Sequence, residues 1–304
     1  MITRLAQLID TVPTHLRLNR VARGEASATR SDIGFVDVGD AIVRFRRAGS
    51  NGPSLVLATD PPVPLELYDQ LIALLASDFR VTVFEIPGFG CSLPRVGFRF
   101  SLPRAAASVT RFLEQLPAAP HVLAMPCVSG YVAVAIANAR PELVSRLILA
   151  QTPSWADGQS WLRGRDRHGL LRRPVIGQLA LAALRRKRAR AWYQAALGTP
   201  SLLDAFTAAT LHNFDQGGCF CLASGFQDFL RDHHGLLKPV KQQALILWGH
   251  ADASHRHSEP KGAASFAPNA QLACLDGVGH FPELEAPAAV LTQIRSFVDK
   301  GTAR

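Results

Sequence analysis

This 304-residue chain lacks a disulfide framework, a long apolar run and an even spread of charge. Its five cysteines, Cys91, Cys127, Cys219, Cys221 and Cys274, are odd in number and follow no framework spacing. That excludes a small disulfide scaffold and favours free thiols in a reducing compartment, so the cytoplasm is the expected location. No apolar stretch approaches the ~20 residues of a membrane span. The longest, Val175 to Leu184, is interrupted by Gly177 and Gln178, and stable membrane insertion is not expected. The first ten residues are amphipathic and lack the apolar stretch of a secretory signal. With 48% hydrophobic and 19% charged residues, the chain is neither disordered nor fibrous and can bury one large core.

Alternation is what the sequence does have. Residues 1–34 read as an N-terminal helix and a polar arm. Phe35–Val38 and Ala41–Phe45 predict a hairpin turning at Gly39-Asp40. Ser54–Ala58 is a short, continuously apolar strand of the kind buried on both faces, Arg80–Phe84 reads as another buried strand, and His121–Met125 and Arg146–Ala150 read as strands. Helical spacing separates them at 65–75, 102–116 and 130–139. This order predicts an α/β fold with a mostly parallel sheet flanked by helices. From 153 to 242 the alternation stops and only helices are expected. It resumes with strands Ala244–Trp248 and Gln271–Leu275 and a closing helix from Ala288 to Val298. The expected organisation is therefore a core of residues 35–152 and 243–304, interrupted by a helical cap at 153–242.

Reactive residues of such sheets lie at the carboxyl ends of strands. Three ends stand out: Pro126-Cys127-Val128-Ser129-Gly130, Gly249-His250-Ala251-Asp252, and Gly279-His280-Phe281-Pro282. Pro87-Gly88-Phe89-Gly90 adds a fourth motif. In these motifs and their order the chain resembles the α/β-hydrolase-fold enzymes with an inserted cap, over about residues 35–304. The resemblance implies a sharp strand-to-helix turn carrying a nucleophile, followed along the chain by an acid and a histidine. It assigns Cys127 as nucleophile, His280 as base and Asp252 as the group that orients it. Ser129 is the competing nucleophile, but it leaves bulky Tyr131 where the turn needs a small residue. Dienelactone hydrolases and polyhydroxyalkanoate synthases within this fold also use cysteine. A thiol in this setting suits acyl transfer through a thioester, on an ester, lactone or thioester.

The pattern departs from the family at the turn after the third strand. It reads Ala58-Thr59-Asp60-Pro61-Pro62, and the residue expected to donate an oxyanion N–H aligns with Pro61, which has none. The Val128 N–H is the remaining expected donor, with the Thr59 hydroxyl as a substitute. Asp60, if charged, disfavours an oxyanion. Two alternatives therefore stand beside cysteine-dependent hydrolysis or acyl transfer. One is a non-hydrolytic lyase or cyclase using His280 as acid and base; the other is a ligand-binding pseudoenzyme. Asp60, Trp155, Trp161 and Phe281 are the expected substrate contacts, within an apolar pocket that also includes Trp192, Phe206 and Phe226. No metal or organic cofactor is implied. His250, His255 and His257 read as a polar loop, Glu285 as a support of the closing helix, and Cys91 and Cys274 as buried apolar residues.

Charge is the last uneven feature. Between Trp161 and Arg190 ten basic residues face one acid, Asp166, so this stretch holds the whole formal excess of +9. No interleaved aromatics or DNA-binding motif accompany it, which argues against nucleic acid as partner. A solvated helix face is the plainest reading. The sharper one is attraction of an anionic substrate, or of an acyl group carried on CoA or a carrier protein. A small-molecule acyl substrate and a monomer or homodimer are the resulting expectations.

Overall fold

The structure, a computed structural model, describes residues 2–22, 32–231 and 235–299. Among the described residues eleven strands form: β1 (Ile33–Asp37), β2 (Ala41–Ala48), β3 (Ser54–Ala58), β4 (Arg80–Phe84), β5 (Phe89–Gly90), β6 (Leu93–Pro94), β7 (His121–Pro126), β8 (Val144–Ala150), β9 (Cys219–Phe220), β10 (Gln243–Gly249) and β11 (Gln271–Leu275). Ten α-helices accompany them among the same residues: α1 (Ile2–Ala22), α2 (Asp69–Leu75), α3 (Leu102–Glu114), α4 (Gly130–Ala139), α5 (Trp155–Arg165), α6 (Ile176–Ala196), α7 (Leu203–Asp215), α8 (Leu222–Asp228), α9 (Pro282–Glu285) and α10 (Pro287–Asp299).

The main sheet runs β1-β2-β4-β3-β7-β8-β10-β11, with β6 added beside β2. β1, β2 and β6 pair antiparallel, and every pairing from β4 to β11 is parallel. The central strands β3 and β7 are buried at every residue, as their unbroken apolar sequences require. Edge strand β11 is only half covered, which leaves Cys274 exposed, against the expectation that it is buried. One apolar cluster packs α3 and α4 on one face of the sheet; a second packs α2 and α10 on the other.

Helix α4 starts directly beneath the end of β7 and is apolar on all sides, because it lies between the sheet and α3. Its first residue must be small. A methyl group at Gly130 would overlap the Thr152 hydroxyl, so the helix seats against β8 only with glycine there.

Two features differ from the sequence reading. The stretch between β8 and β10 is not wholly helical, because β9 pairs antiparallel with β5 and ties that insert to the loop after β4. The core's first strand begins at Ile33, two residues before the expected boundary, and α1 is a 21-residue helix that packs on α6, α8, β6 and β9. The polar stretch expected after α1, at 23–31, lies outside the described residues.

Candidate active site

Backbone geometry singles out Cys127. It stands between β7 and α4 with φ +48°, one of four non-glycine residues with positive φ among those described. A left-handed residue at that junction reverses the chain sharply and lifts its side chain above the strand ends, at a conformational cost the surrounding packing must hold. The Ser129 hydroxyl donates instead to the Pro126 carbonyl, within the same turn.

The loops after β10 and β11 bring two further side chains alongside. His280 Nδ1 hydrogen-bonds to Asp252 Oδ2 at 2.6 Å. The loop carrying His280 is fixed by Glu285, whose carboxylate accepts N–H groups from Gly198, Thr199, Gly279 and Phe281. The His280 N–H itself donates to the Ala196 carbonyl at the end of α6. Glu285 thus joins the insert to the histidine loop, a larger part than support of the closing helix. Asp252 is held by Gln151, whose side-chain amide donates to Oδ2 at 2.8 Å, and by the Ser254 N–H on Oδ1.

Histidine 255 corrects the polar-loop reading of its segment. It is buried, and its Nδ1 hydrogen-bonds to Asp252 Oδ2 at 3.1 Å. Its ring stacks on that of His280 with centroids 4.9 Å apart, and Trp161 stacks on its other side at 5.7 Å. Asp252 therefore orients two imidazoles through their Nδ1 atoms. His250 and His257 do lie on the surface side, against Asp276 and Arg256 respectively.

Asp60 makes the second unexpected contact. Its Oδ2 lies 2.9 Å from His280 Nε2, the nitrogen that would serve the thiol. No backbone donor of its turn is free. The Thr59 N–H donates to the Phe84 carbonyl, the Asp60 N–H to Tyr68 Oη, and the Val63 N–H to the Asp60 carbonyl. Pro61 and Pro62 have no N–H. Tyr68 in turn donates to Glu283, a fully buried carboxyl pushed up to about 7 by burial.

Electrostatics follow from this crowding. Burial pushes the His280 imidazolium to deprotonate, but Asp252 and Asp60 on its two nitrogens outweigh it and hold its pKa well above the usual histidine range. Burial raises the Cys127 thiol and Asp60 adds to that. Hydrogen-bonding interactions with His255 and His280, and the His280 charge, outweigh both and leave the thiol below its ordinary value. Asp252 is depressed despite burial, by the His280 charge and by its bonds to the two imidazoles. His255 is likewise raised despite its burial, by its bond to Asp252 and by the Cys127 sulfur.

Beside this cluster lies a cavity of about 130 Å³. Cys127, Val128, Ser129, Asp60, Pro61, Trp161 and Trp192 stand at its reactive end, and the remainder is apolar, with Phe98, Phe100 and Phe226 among its walls. Four expected residues are elsewhere. Trp155 packs on Tyr131 with centroids 5.2 Å apart, because α5 turns its first residue towards the core. Phe281 is fully buried against Tyr193 and Phe206, beneath the histidine loop, so neither it nor Phe206 lines the cavity. Thr59 is buried below the turn and outside the lining. Of the basic stretch, Arg165 comes nearest, its guanidinium 4.5 Å from the Trp192 ring centroid and 5.6 Å from that of Trp161. Arg172, Arg186 and Arg190 pair with Asp166, Asp215 and Asp204, and Arg185 lies over Phe214.

Comparison with known proteins adds three findings. Residues 37–293 match the model of the alpha/beta hydrolase family. The dihydrolipoyllysine-residue acetyltransferase component of the acetoin cleaving system of Pseudomonas putida is 26% identical over 296 residues, which cover 96% of this chain and 76% of that protein. Among solved structures, epoxide hydrolase A from Mycobacterium thermoresistibile superposes with a TM-score of 0.73 at 16% identity, over 88% of this chain and 98% of the other. A hydrolase from Pseudomonas aeruginosa gives 0.67 at 22%, over 89% and 99%. At these identities the structural likeness shows the fold alone. No helix among the described residues is long and apolar enough to cross a membrane.

Proposed function

The chain belongs to the alpha/beta hydrolase family, and within it we propose a cysteine-dependent enzyme that transfers an apolar acyl group through a thioester on Cys127. The observation that carries this reading is the thiol on its strained turn, served by two imidazoles that share one carboxylate, at the end of an apolar cavity. The Cys127 thiolate attacks the carbonyl carbon of an ester, lactone or thioester, and the carbon–sulfur bond forms as the leaving group departs with a proton from an imidazolium. Water or a second nucleophile then attacks the thioester while imidazole takes its proton, and the thiol is released. Asp252 fixes both ring orientations and stabilises the imidazolium. The cavity walls favour an aliphatic or aromatic acyl group, and Arg165 favours substrates with an anionic end, a carboxylate or the phosphates of CoA.

Asp60 supports a second reading. A carboxylate on His280 Nε2, in a turn with no free backbone donor, suits proton transfer by the Asp60–His280 pair without a covalent intermediate, as in a lyase or cyclase. Intact-mass measurement after exposure to an activated ester or acyl thioester separates the two. The first predicts an acyl adduct that disappears in Cys127→Ala and persists in Ser129→Ala. An absent adduct, with turnover that survives Cys127→Ala but not His280→Ala, overturns it in favour of the second.

A further inference from the structure

The same cluster holds more metal-ligand atoms than acyl transfer requires. Asp60 Oδ2, His255 Nε2 and His280 Nε2 are all buried, and none makes an aligned hydrogen bond. The 2.9 Å contact between Asp60 and His280 is an ion pair without hydrogen-bond alignment. The donor atoms of Asp60, Cys127 and His280 lie within 4.8 Å of one another, and the His255 ring stacks on that of His280 with centroids 4.9 Å apart. A buried polar atom without a partner is costly, and two beside one sulfur, with a third on the stacked ring of His255, are a feature to be explained.

We propose that Cys127, His255, His280 and Asp60 form a site for a borderline-soft divalent cation of the zinc class, which withdraws the thiol from reaction when bound. The donor set of one sulfur, two imidazole nitrogens and one carboxylate oxygen suits tetrahedral Zn²⁺ and excludes Mg²⁺ or Ca²⁺, which take oxygen ligands. Ligand distances of about 2.0–2.3 Å place tetrahedral donors about 3.3–3.6 Å apart, so the Asp60–His280 contact must open by a few tenths of an ångström and the His255 ring must swing in to bring its Nε2 to the other three donors. Zinc-binding histidines are usually oriented by a carboxylate on the other ring nitrogen. Asp252 does this for both, through Nδ1 at 2.6 and 3.1 Å, leaving each Nε2 to the cation. Coordination takes the sulfur as thiolate and both rings as neutral imidazole, and the displaced proton passes to solvent. The inference does not depend on whether Cys127 attacks an acyl group.

Cobalt(II) is the probe, added to full-length protein freed of metal by chelation. The expected result is one equivalent bound, a thiolate-to-cobalt charge-transfer band in the near ultraviolet, and intense visible bands of a four-coordinate ion, all displaced by Zn²⁺. Cys127→Ser should remove the charge-transfer band, and Cys274→Ser should leave it. His255→Gln should weaken binding at least tenfold, and Asp252→Asn about 10–100-fold, as loss of an orienting carboxylate does. Circular dichroism verifies that each variant is folded. The proposal is overturned if no such band forms, if the band survives Cys127→Ser, or if folded His255→Gln binds as tightly as the parent. Acylation is scored separately on the chelator-treated protein, so an adduct without a cobalt band refutes the metal site alone. A band without an adduct refutes the acyl-transfer reading alone.

Discussion

Replacing Asp60 by asparagine gives an effect whose sign depends on what the site does. The carboxylate lies 2.9 Å from His280 Nε2. At an effective dielectric constant of about 20, such a pair attracts by about 6 kcal/mol, so Asp60 is a main reason His280 holds its proton. The same charge faces the place where an acyl oxyanion would form, and the turn supplies no free N–H to offset it. Asparagine keeps the shape, removes the charge and adds an amide donor. If the chemistry is acyl transfer, kcat/KM for a neutral activated ester should rise at least tenfold. The ceiling is the roughly 10²–10³ that one oxyanion donor is worth. The alkaline limb of the pH–rate profile, where the imidazolium loses its proton, should move to lower pH because Asp60 no longer raises His280. The assay is steady-state hydrolysis of a chromogenic ester across pH, with iodoacetamide labelling of Cys127 to show that the thiol is intact. A tenfold or greater fall in kcat/KM, with labelling unchanged, would refute the reasoning. It would make Asp60 a participant in proton transfer.

Other perturbations test the parts that hold the site. Gly130→Ala should destabilise the protein by about 1–3 kcal/mol, the usual cost of overpacking, because the new methyl meets the Thr152 hydroxyl; Gly130→Ala/Thr152→Ala should recover part of that in thermal unfolding, and purely additive losses would contradict the contact. Asp10 on α1 accepts a hydrogen bond from Ser224 at 2.6 Å, and burial pushes its carboxyl from 3.8 up to about 6. Its folded state therefore binds the proton more tightly, so α1 docking is strongest below pH 3.8 and weakens as pH rises through 6, by up to about 3 kcal/mol. Asp10→Asn should remove that dependence, read as equal hydrogen-exchange protection of α1 at pH 5 and 7.5; a pH-dependent loss persisting in the variant would exclude Asp10 as its source. Arg165→Ala should raise KM about tenfold for an acyl substrate with an anionic end, the worth of a charge pair at roughly 10 Å, and leave a neutral analogue within twofold. Equal changes for both substrates would show that Arg165 only packs on Trp161 and Trp192.

Much of the fold was legible because buried parallel strands advertise themselves. Ser54–Ala58, Arg80–Phe84 and His121–Met125 are short, mostly apolar runs set between helical patterns, and nearly every residue of each is buried, as in strands covered on both faces. The two-residue strands β5 and β9 had no such signal, since a pairing that short depends on which loops meet and not on any periodicity. Trp155 and Phe281 read as cavity walls in the sequence but pack in the core, because large aromatics near reactive residues have two possible destinations, and composition does not tell a lining from the packing beneath it.

At the site the division is similar. That Cys127, Asp252 and His280 stand at the carboxyl ends of three strands follows from the order of elements along the chain, because a parallel sheet brings all such ends to one edge. That Pro61 cannot donate is likewise a property of the residue. Tertiary structure alone decided that Asp60 faces His280 across 220 positions of sequence, and that Tyr68 takes the Asp60 N–H. It alone turned His255 inward, to share Asp252 with His280. Those contacts depend on how far each loop leans over the sheet, which is set by Glu285, Gln151 and the aromatic stack on Trp161. Residue type and spacing determine which groups reach the rim of the sheet; the loops packed above it decide which of them share a proton.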